Sequence, residues 1–448
     1  MEAPHGEESV ADPRADAIVV RGCGVPEPPF RTFVEAVSRP RLSWAGEAAT
    51  VVGGGAAARV SATGADRFRR VRAAATDLFE RVDVRDDLPR AARPRLFGGL
   101  AFHDTHSTDG AAAPWSGFPG ADFVLPATQL TLTDGEAWLT VASTGAEAPA
   151  DARRRLERWR ERLASLPERA PAGPPGIRHR RPTPDRAAWG QQVRDAVASV
   201  RRGDLRKVVI AQALDVDLAD TLRVPDVLAR LGGTYPDCFR FMFDRADGGT
   251  FFGATPERLV SREGRTVRTT ALAGSTGRGD TDEEDDWLAA ELRDSEKDLH
   301  EHELVVEAIR DQLEPLAAGV TTGDRTVRAL ATVQHLQTPI RATLERDAHV
   351  LSLVEALHPT PAVGGLPPDD ALRAIRETET FDRGWYAAPV GWLDAAGDGT
   401  FAVAIRSAVA RGEAATLFAG AGIVADSDPD REWDELQLKY RPILDELE

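Results

Sequence analysis

Short apolar or alternating runs, Ala17 to Arg21, Leu125 to Leu132 and Ala137 to Ala142, predict strands in the first third of the chain. An arginine-rich stretch from Asp151 to Leu166 has helical periodicity instead. Between Pro167 and Pro184, six prolines and two glycines interrupt both patterns and predict an exposed connection. Beyond it, a helix over Asp185 to Arg202 leads into the apolar run Lys207 to Leu214. More strands follow, then two long acidic helices and a final glycine-turn-helix unit. Helices mixed with hairpin-like strands, without internal repeats or regular strand–helix alternation, predict an α+β fold.

Composition narrows the function classes. With 448 residues, 42% of them hydrophobic, the chain can bury a large core. A net charge of -17 argues against a nucleic-acid or anionic-membrane partner, since both repel an acidic surface. Cys23 and Cys238 are the only cysteines and lack metal-type spacing, so neither a disulfide framework nor a cysteine zinc site is expected; a reducing cytoplasm fits. The first sixteen residues, MEAPHGEESVADPRAD, are acidic, lack the apolar segment of a secretion signal and are expected to form a disordered tail.

Only three of the 55 basic residues are lysine, namely Lys207, Lys297 and Lys439. Carboxylates without lysines suit a halophile-like surface, although a coding bias toward arginine has the same effect. Lysine offers what arginine cannot, a compact ammonium that can lose its proton. All three lie in the densest motifs. Lys207 opens Lys-Val-Val-Ile-Ala-Gln-Ala-Leu, where burial would disfavour the charged amine and move it toward general-base behaviour; the alternative is a strand-edge lysine reaching solvent. In Phe251-Phe-Gly-Ala-Thr-Pro-Glu257, a carboxyl stands just past a proline turn, where it could donate a proton or merely start a helix.

Glu301, Val305 and Ile309 follow i, i+4, i+8, so Glu301 extends an apolar helical stripe inward and calls for a cation or a proton. His300 and His302 flank it, but histidines two apart on a helix diverge and lack the HExxH spacing; a hard cation on carboxylate oxygen is the better expectation than zinc. Near the C-terminus, Gly420 and Gly422 permit close backbone approach to a ligand, and Glu435 and Lys439 share a helix face at i, i+4.

These segments, with Val333-Gln-His-Leu-Gln-Thr, Leu357-His-Pro-Thr-Pro-Ala-Val-Gly-Gly, Arg383-Gly-Trp-Tyr-Ala-Ala-Pro-Val-Gly-Trp and Val403-Ala-Ile-Arg-Ser-Ala, resemble the chorismate-utilising enzymes in the same order from Asp185 onward. Phe97-Gly-Gly-Leu-Ala-Phe and Phe123-Val-Leu-Pro agree more loosely. Within the family the likeness is greatest to isochorismate synthases of the menaquinone-pathway type. The resemblance implies two packed antiparallel sheets with outer helices and two subdomains around a central cleft. It divides the chain into the tail 1–16 and one catalytic domain, 17–448, made of an N-terminal subdomain 17–166, the connection 167–184 and the motif-bearing portion 185–448.

The resemblance also implies roles. Lys207 would activate water for attack at C2 of chorismate, and Glu257 would protonate the departing C4 hydroxyl, giving isochorismate. Glu301 and Glu435 would hold Mg2+, while Arg406, Lys439, Tyr386 and the Gly420 amide would orient substrate carboxylates, with His335 nearby. Anthranilate synthases carry Gln in place of Lys207, and aminodeoxychorismate synthases have a nucleophilic lysine where this chain has Ala273. Amination, and a glutamine amidotransferase partner, are therefore not expected. Salicylate synthases keep the lysine and usually have Thr where this chain has Ala362, which favours release of isochorismate over pyruvate elimination. Menaquinone and siderophore synthesis both consume isochorismate, and the Trp385-Tyr386 pair leans toward the former. A silent chorismate-binding subunit and a zinc hydrolase around His300 and His302 are the readings from other classes. Monomers are common among such enzymes.

Overall fold

A computed structural model describes residues 17–106, 114–246 and 249–448. The acidic N-terminal tail lies outside the described residues. Two antiparallel arms of sheet diverge from one long strand, Ala121–Thr133. Along the first arm the order is Thr50–Ala62, Arg41–Ala45, Phe239–Arg245, Gly249–Thr255, Ser407–Arg411, Ala414–Ile423, Lys207–Leu218 and Ile177–Thr183. Along the second it is Arg95–Leu100, Pro389–Asp394, Gly399–Val403, Arg258–Glu263, Thr266–Gly277 and Val333–Leu344. An aromatic cluster fills the space between the arms, with Trp385 edge-on to both Phe251 and Phe118 and Trp115 stacked on Phe418 at 5.3 Å. The architecture is α+β, as the pattern of elements predicts.

Most boundaries agree with the sequence reading. Asp185 caps the helix Arg186–Arg202 by accepting from the Ala188 amide. The strand after it runs on to Leu218 and is almost wholly buried. The proline-rich connection needs correction. Its second half, Ile177–Thr183, is a strand on the outer edge of the first arm. An edge strand tolerates Pro182 because one side of its ladder has no partner to lose.

The chain crosses between the arms at three places that matter for the site. Pro256 and Glu257 connect Gly249–Thr255 to Arg258–Glu263. Ala404, Ile405 and Arg406 connect Gly399–Val403 to Ser407–Arg411. The segment 384–388 leads into Pro389–Asp394, and it is stitched to the preceding crossing by Ala387 N–H to Ala404 O at 3.0 Å and Ala404 N–H to Ala388 O at 2.9 Å. Ala387 and Arg406 both adopt φ near +55° (56° and 53°), a region that costs a residue with a side chain on the order of 1–2 kcal/mol.

A buried ion pair anchors this region to the first arm. Arg383, 1% exposed, donates to Glu379 at 2.5 and 2.9 Å and to the carbonyls of Val209 and Val363, each at 2.8 Å. Glu379 accepts in addition from the Ala211 amide. Removing one partner strands the other charge in the interior. Glu379→Ala is therefore expected to lose about 3–5 kcal/mol of stability, read as a lower urea midpoint; an unchanged midpoint would mean that water or another acceptor replaces the carboxylate.

Candidate active site

Helix Glu296–Leu313 and helix Pro429–Leu444 close the open side of the space between the arms. Ser295 caps the first by accepting from Asp298 N–H, with Glu296 and Asp298 in its first turn, and His302, Val305, Ile309 and Leu313 form its buried stripe. Asp428 and Pro429 start the second, whose buried line is Glu432, Leu436 and Tyr440. Together with the strands they enclose a cavity of about 770 Å3. Lys207, Glu257, Glu301, His335, Ala362, Tyr386, Arg406, Gly420, Glu435 and Lys439 all line it. Residues spread over more than half the chain thus meet at one place.

Lys207 is 1% exposed, and its Nζ lies 2.8 Å from Glu301 Oε1, so the solvent-reaching alternative does not hold. A Cβ at Gly422 would sit 2.9 Å from Lys207 Cε and 3.1 Å from Glu301 Oε1, which leaves glycine the residue that fits beside this pair. Glu257 is followed by a strand, not a helix, so dipole complementation does not account for it. Its carboxyl is pushed up to about 7 by burial, against the opposing pull of Lys207 and Arg406. A carboxylic acid with that value is still about half protonated at neutrality, where an ordinary glutamate is almost wholly ionised.

The opposite wall is built to receive anions. Arg406 is buried, and its Nη1 has no hydrogen-bond partner among the described residues. Tyr386 stacks on Phe418 at 5.2 Å, and burial pushes its phenol up, so it stays a neutral donor. Lys439 reaches Glu435 at 2.5 Å and the Gly420 carbonyl at 2.7 Å. Gly420 faces Ala211 in the ladder, but the Ala211 amide bonds outward to Glu379, so the polar groups of this pair point away from each other. On its other side the strand's last pair with Ser407–Arg411 is Phe418 with Ser407. The Gly420 N–H therefore projects from an unpaired edge on the cavity wall. Ala362 lies in the tight turn that follows Thr360, where Val363 and Gly364 N–H both bond to the Thr360 carbonyl.

Four carboxylates face one end of the cavity, because the two helices each carry an acid–x–x–acid pair, Asp298 with Glu301 and Glu432 with Glu435. Burial, then Glu301 and Glu435, push Asp298 up. Burial, then Glu435, push Glu432 up to about 7, and its Oε2 is buried without a partner among the described residues. Burial opposes the charge of Glu435, but Lys439 holds it below the usual range. Among the described residues no three such side chains already converge as a metal cage, since Glu301 is turned onto Lys207 and Glu435 onto Lys439. The crowding of like charge and the orphaned oxygen fit an oxygen-liganded divalent cation. Zinc at the adjacent histidines does not fit: His302 is buried with Nδ1 on the Ala273 carbonyl at 3.2 Å and Nε2 on Thr338 Oγ1 at 2.8 Å, which leaves it no free nitrogen.

Residues 28–448 match the family model of chorismate-binding enzymes. The chain belongs to that family. It is similar to isochorismate synthase MenF of Bacillus subtilis, 36% identical over 387 residues that span 85% of this chain and 80% of that protein. It is also similar to the salicylate biosynthesis isochorismate synthase of Pseudomonas aeruginosa, 41% identical over 360 residues, 79% of this chain and 74% of the other. The solved structure of MenF, the menaquinone-specific isochorismate synthase of Escherichia coli, superposes with a TM-score of 0.80 at 26% identity, over 98% of this chain and 97% of that one. The family's fold is the one described above.

Sequence reasoning passed over Asp298 and Glu432 as site residues. Their signal was available, since both stand one helical turn before a carboxylate already singled out. Ser275, which lies 2.8 Å from His335 Nδ1, gave no comparable signal because the two are 60 residues apart.

Proposed function

We propose that this enzyme converts chorismate to isochorismate in a Mg2+-dependent reaction, with Lys207 as general base and Glu257 as general acid. The observation that carries the reading is a buried lysine and a buried carboxyl pushed up to about 7, facing one cavity beside a guanidinium whose Nη1 has no partner among the described residues. A buried amine and a buried carboxyl on one cavity suit paired base and acid catalysis. Lys207, acting in its deprotonated form, takes a proton from water as the oxygen adds at C2, the ring double bonds shift, and the C4 hydroxyl leaves with the proton of Glu257. One water enters and one departs. The proton gained by Lys207 returns to Glu257 through solvent before the next turnover.

Chorismate is a dianion, and Arg406, Tyr386, Lys439 and the Gly420 N–H are the groups proposed to hold its carboxylates. Glu301 and Glu435, with Asp298 and Glu432 behind them, are the proposed metal ligands. A bound Mg2+ supplies charge neutralisation at a ring carboxylate. Because Glu301 also pairs with Lys207, ligation and the base share one carboxylate. Ala362 supports release of isochorismate without pyruvate elimination. The likeness to the menaquinone-specific enzyme of Escherichia coli favours the menaquinone pathway, while the Pseudomonas relative keeps a salicylate route in view. Among the described residues no helix is long and apolar enough to cross a membrane; the enzyme is proposed to work in the cytoplasm without an amidotransferase subunit.

Product analysis after incubation with chorismate and Mg2+, at low and at multimolar KCl, tests the reading. The expected result is isochorismate in equilibrium with chorismate, without pyruvate, lost on chelation and restored by Mg2+ but not Zn2+. Salicylate with stoichiometric pyruvate would replace the reading by salicylate synthesis, and binding without turnover by a silent subunit. Glu301→Gln is expected to weaken Mg2+ roughly 10–100-fold; wild-type Mg2+ affinity in that variant would remove Glu301 from the ligand set.

A further inference from the structure

Strands Thr266–Gly277 and Val333–Leu344 run antiparallel, and their register slips between Ala273 and Ser275. Gly274 absorbs the slip at φ +76°, the left-handed conformation that a bulge of this kind assigns to glycine. A side chain there would also press on the next helix, its Cβ 3.2 Å from that of Asp298. The bulge sets Ser275 directly across from His335, with Ser275 Oγ 2.8 Å from His335 Nδ1. Both line the cavity, and the second ring nitrogen, Nε2, is buried with no partner among the described residues.

A neutral imidazole has one N–H and one lone pair, and the bond made by one nitrogen decides what the other presents. Burial, followed by Arg406 and Lys439, holds His335 well below its ordinary range, so the ring is neutral. A buried N–H with no acceptor is rarer in folded proteins than an acceptor with no donor. With Nε2 unpartnered, the ring proton belongs on Nδ1, which has the serine oxygen beside it. The serine hydroxyl can accept from the same N–H.

We propose that Ser275, presented by the Gly274 bulge, is a positioning residue that keeps the His335 proton on Nδ1, so that Nε2 faces the substrate as a hydrogen-bond acceptor. The neighbouring Lys439, Arg406 and Tyr386 all offer donors. They suit the carboxylates of a dianion, but Lys439 and Arg406 cannot accept from a ring hydroxyl, and Nε2 adds an acceptor beside them. Only the identity of the hydroxyl rests on the isochorismate reading; the tautomer does not.

The test joins kinetics to NMR of the histidine ring nitrogens. In the wild type, His335 is expected to carry its proton on Nδ1 with Nε2 bare. In Ser275→Ala, both tautomers are expected, with kcat lowered by about 10–100-fold and KM nearly unchanged. Ser275→Thr, which keeps the hydroxyl, is expected to recover both. A protonated Nε2 in the neutral wild-type ring overturns the proposal. So does wild-type kcat in Ser275→Ala, or an equal loss in Ser275→Thr, which would make the position a matter of packing alone. If the protein makes no isochorismate yet the Nδ1 proton is found and is lost in Ser275→Ala, the functional reading fails while the positioning role stands.

Discussion

Lys207→Ala is expected to lower kcat by about 100- to 10,000-fold while chorismate still binds with near wild-type affinity. A general base acts on the attacking water, so its loss is felt in the transition state and not in the bound ground state. The groups proposed to anchor the substrate, Arg406, Tyr386 and Lys439, belong to other elements, and Lys207 bonds to Glu301 while Lys439 bonds to Glu435 and Gly420. Lys207→Arg separates base from counter-ion. It keeps a positive charge for Glu301, but a guanidinium does not give up its proton, so turnover should remain lost. Rapid-quench turnover and calorimetric binding of chorismate on the same preparations decide the matter. Retained turnover in Lys207→Ala removes the base assignment. Equal loss of binding and turnover makes Lys207 an anchoring cation.

Glu257→Gln is expected to be comparably severe, a loss of about 100- to 10,000-fold, and it carries a signature in pH. The buried carboxyl titrates at about 7, above its ordinary value of 4.5. The protonated form is the working acid, so the Glu257 contribution to kcat/KM is full below about 7 and falls tenfold per unit above it. Because kcat/KM reports the free enzyme, the limb should appear near that value. Stability runs the same way. A carboxyl raised in the folded state weakens folding as pH climbs from its unfolded value through about 7, and the cost is then constant. Glu257→Gln removes that cost, so above pH 7 the variant should be more stable than wild type by on the order of 3 kcal/mol, with no gain at pH 4. Urea midpoints at the two pH values measure this. An alkaline limb that persists in Glu257→Gln assigns the titration elsewhere, and a variant no more stable at pH 8 denies that burial burdens this carboxyl.

How much could be read before folding differs from element to element. The helix 296–313 was legible because Val305, Ile309 and Leu313 repeat at helical spacing, and Glu301 falls on the same stripe. The scarcity of lysine drew attention to Lys207 and Lys439, and both line the cavity. Pro182 misled, because a proline forbids a central strand but is permitted on an edge, and edge or centre is a property of neighbours. Glu257 was ambiguous for a related reason, since Thr-Pro-Glu starts a helix or ends a strand according to what receives the chain next.

Local periodicity, residue chemistry and the order of motifs are carried by the sequence itself, because each depends on residues a few positions apart or on the side chain alone. They determine the α+β composition, the inward carboxylate of helix 296–313, the shared face of Glu435 and Lys439, and the resemblance to chorismate-utilising enzymes. Tertiary structure alone decides what depends on distant partners. It is the three crossings between the arms that bring Glu257, Tyr386 and Arg406 to one cavity, and the bulge at Gly274 that puts Ser275 opposite His335. The proton on Glu257 belongs to the same class. A carboxyl's affinity for its proton follows from how completely water is excluded around it and which charges stand nearby, and both are set by chain segments far away in sequence.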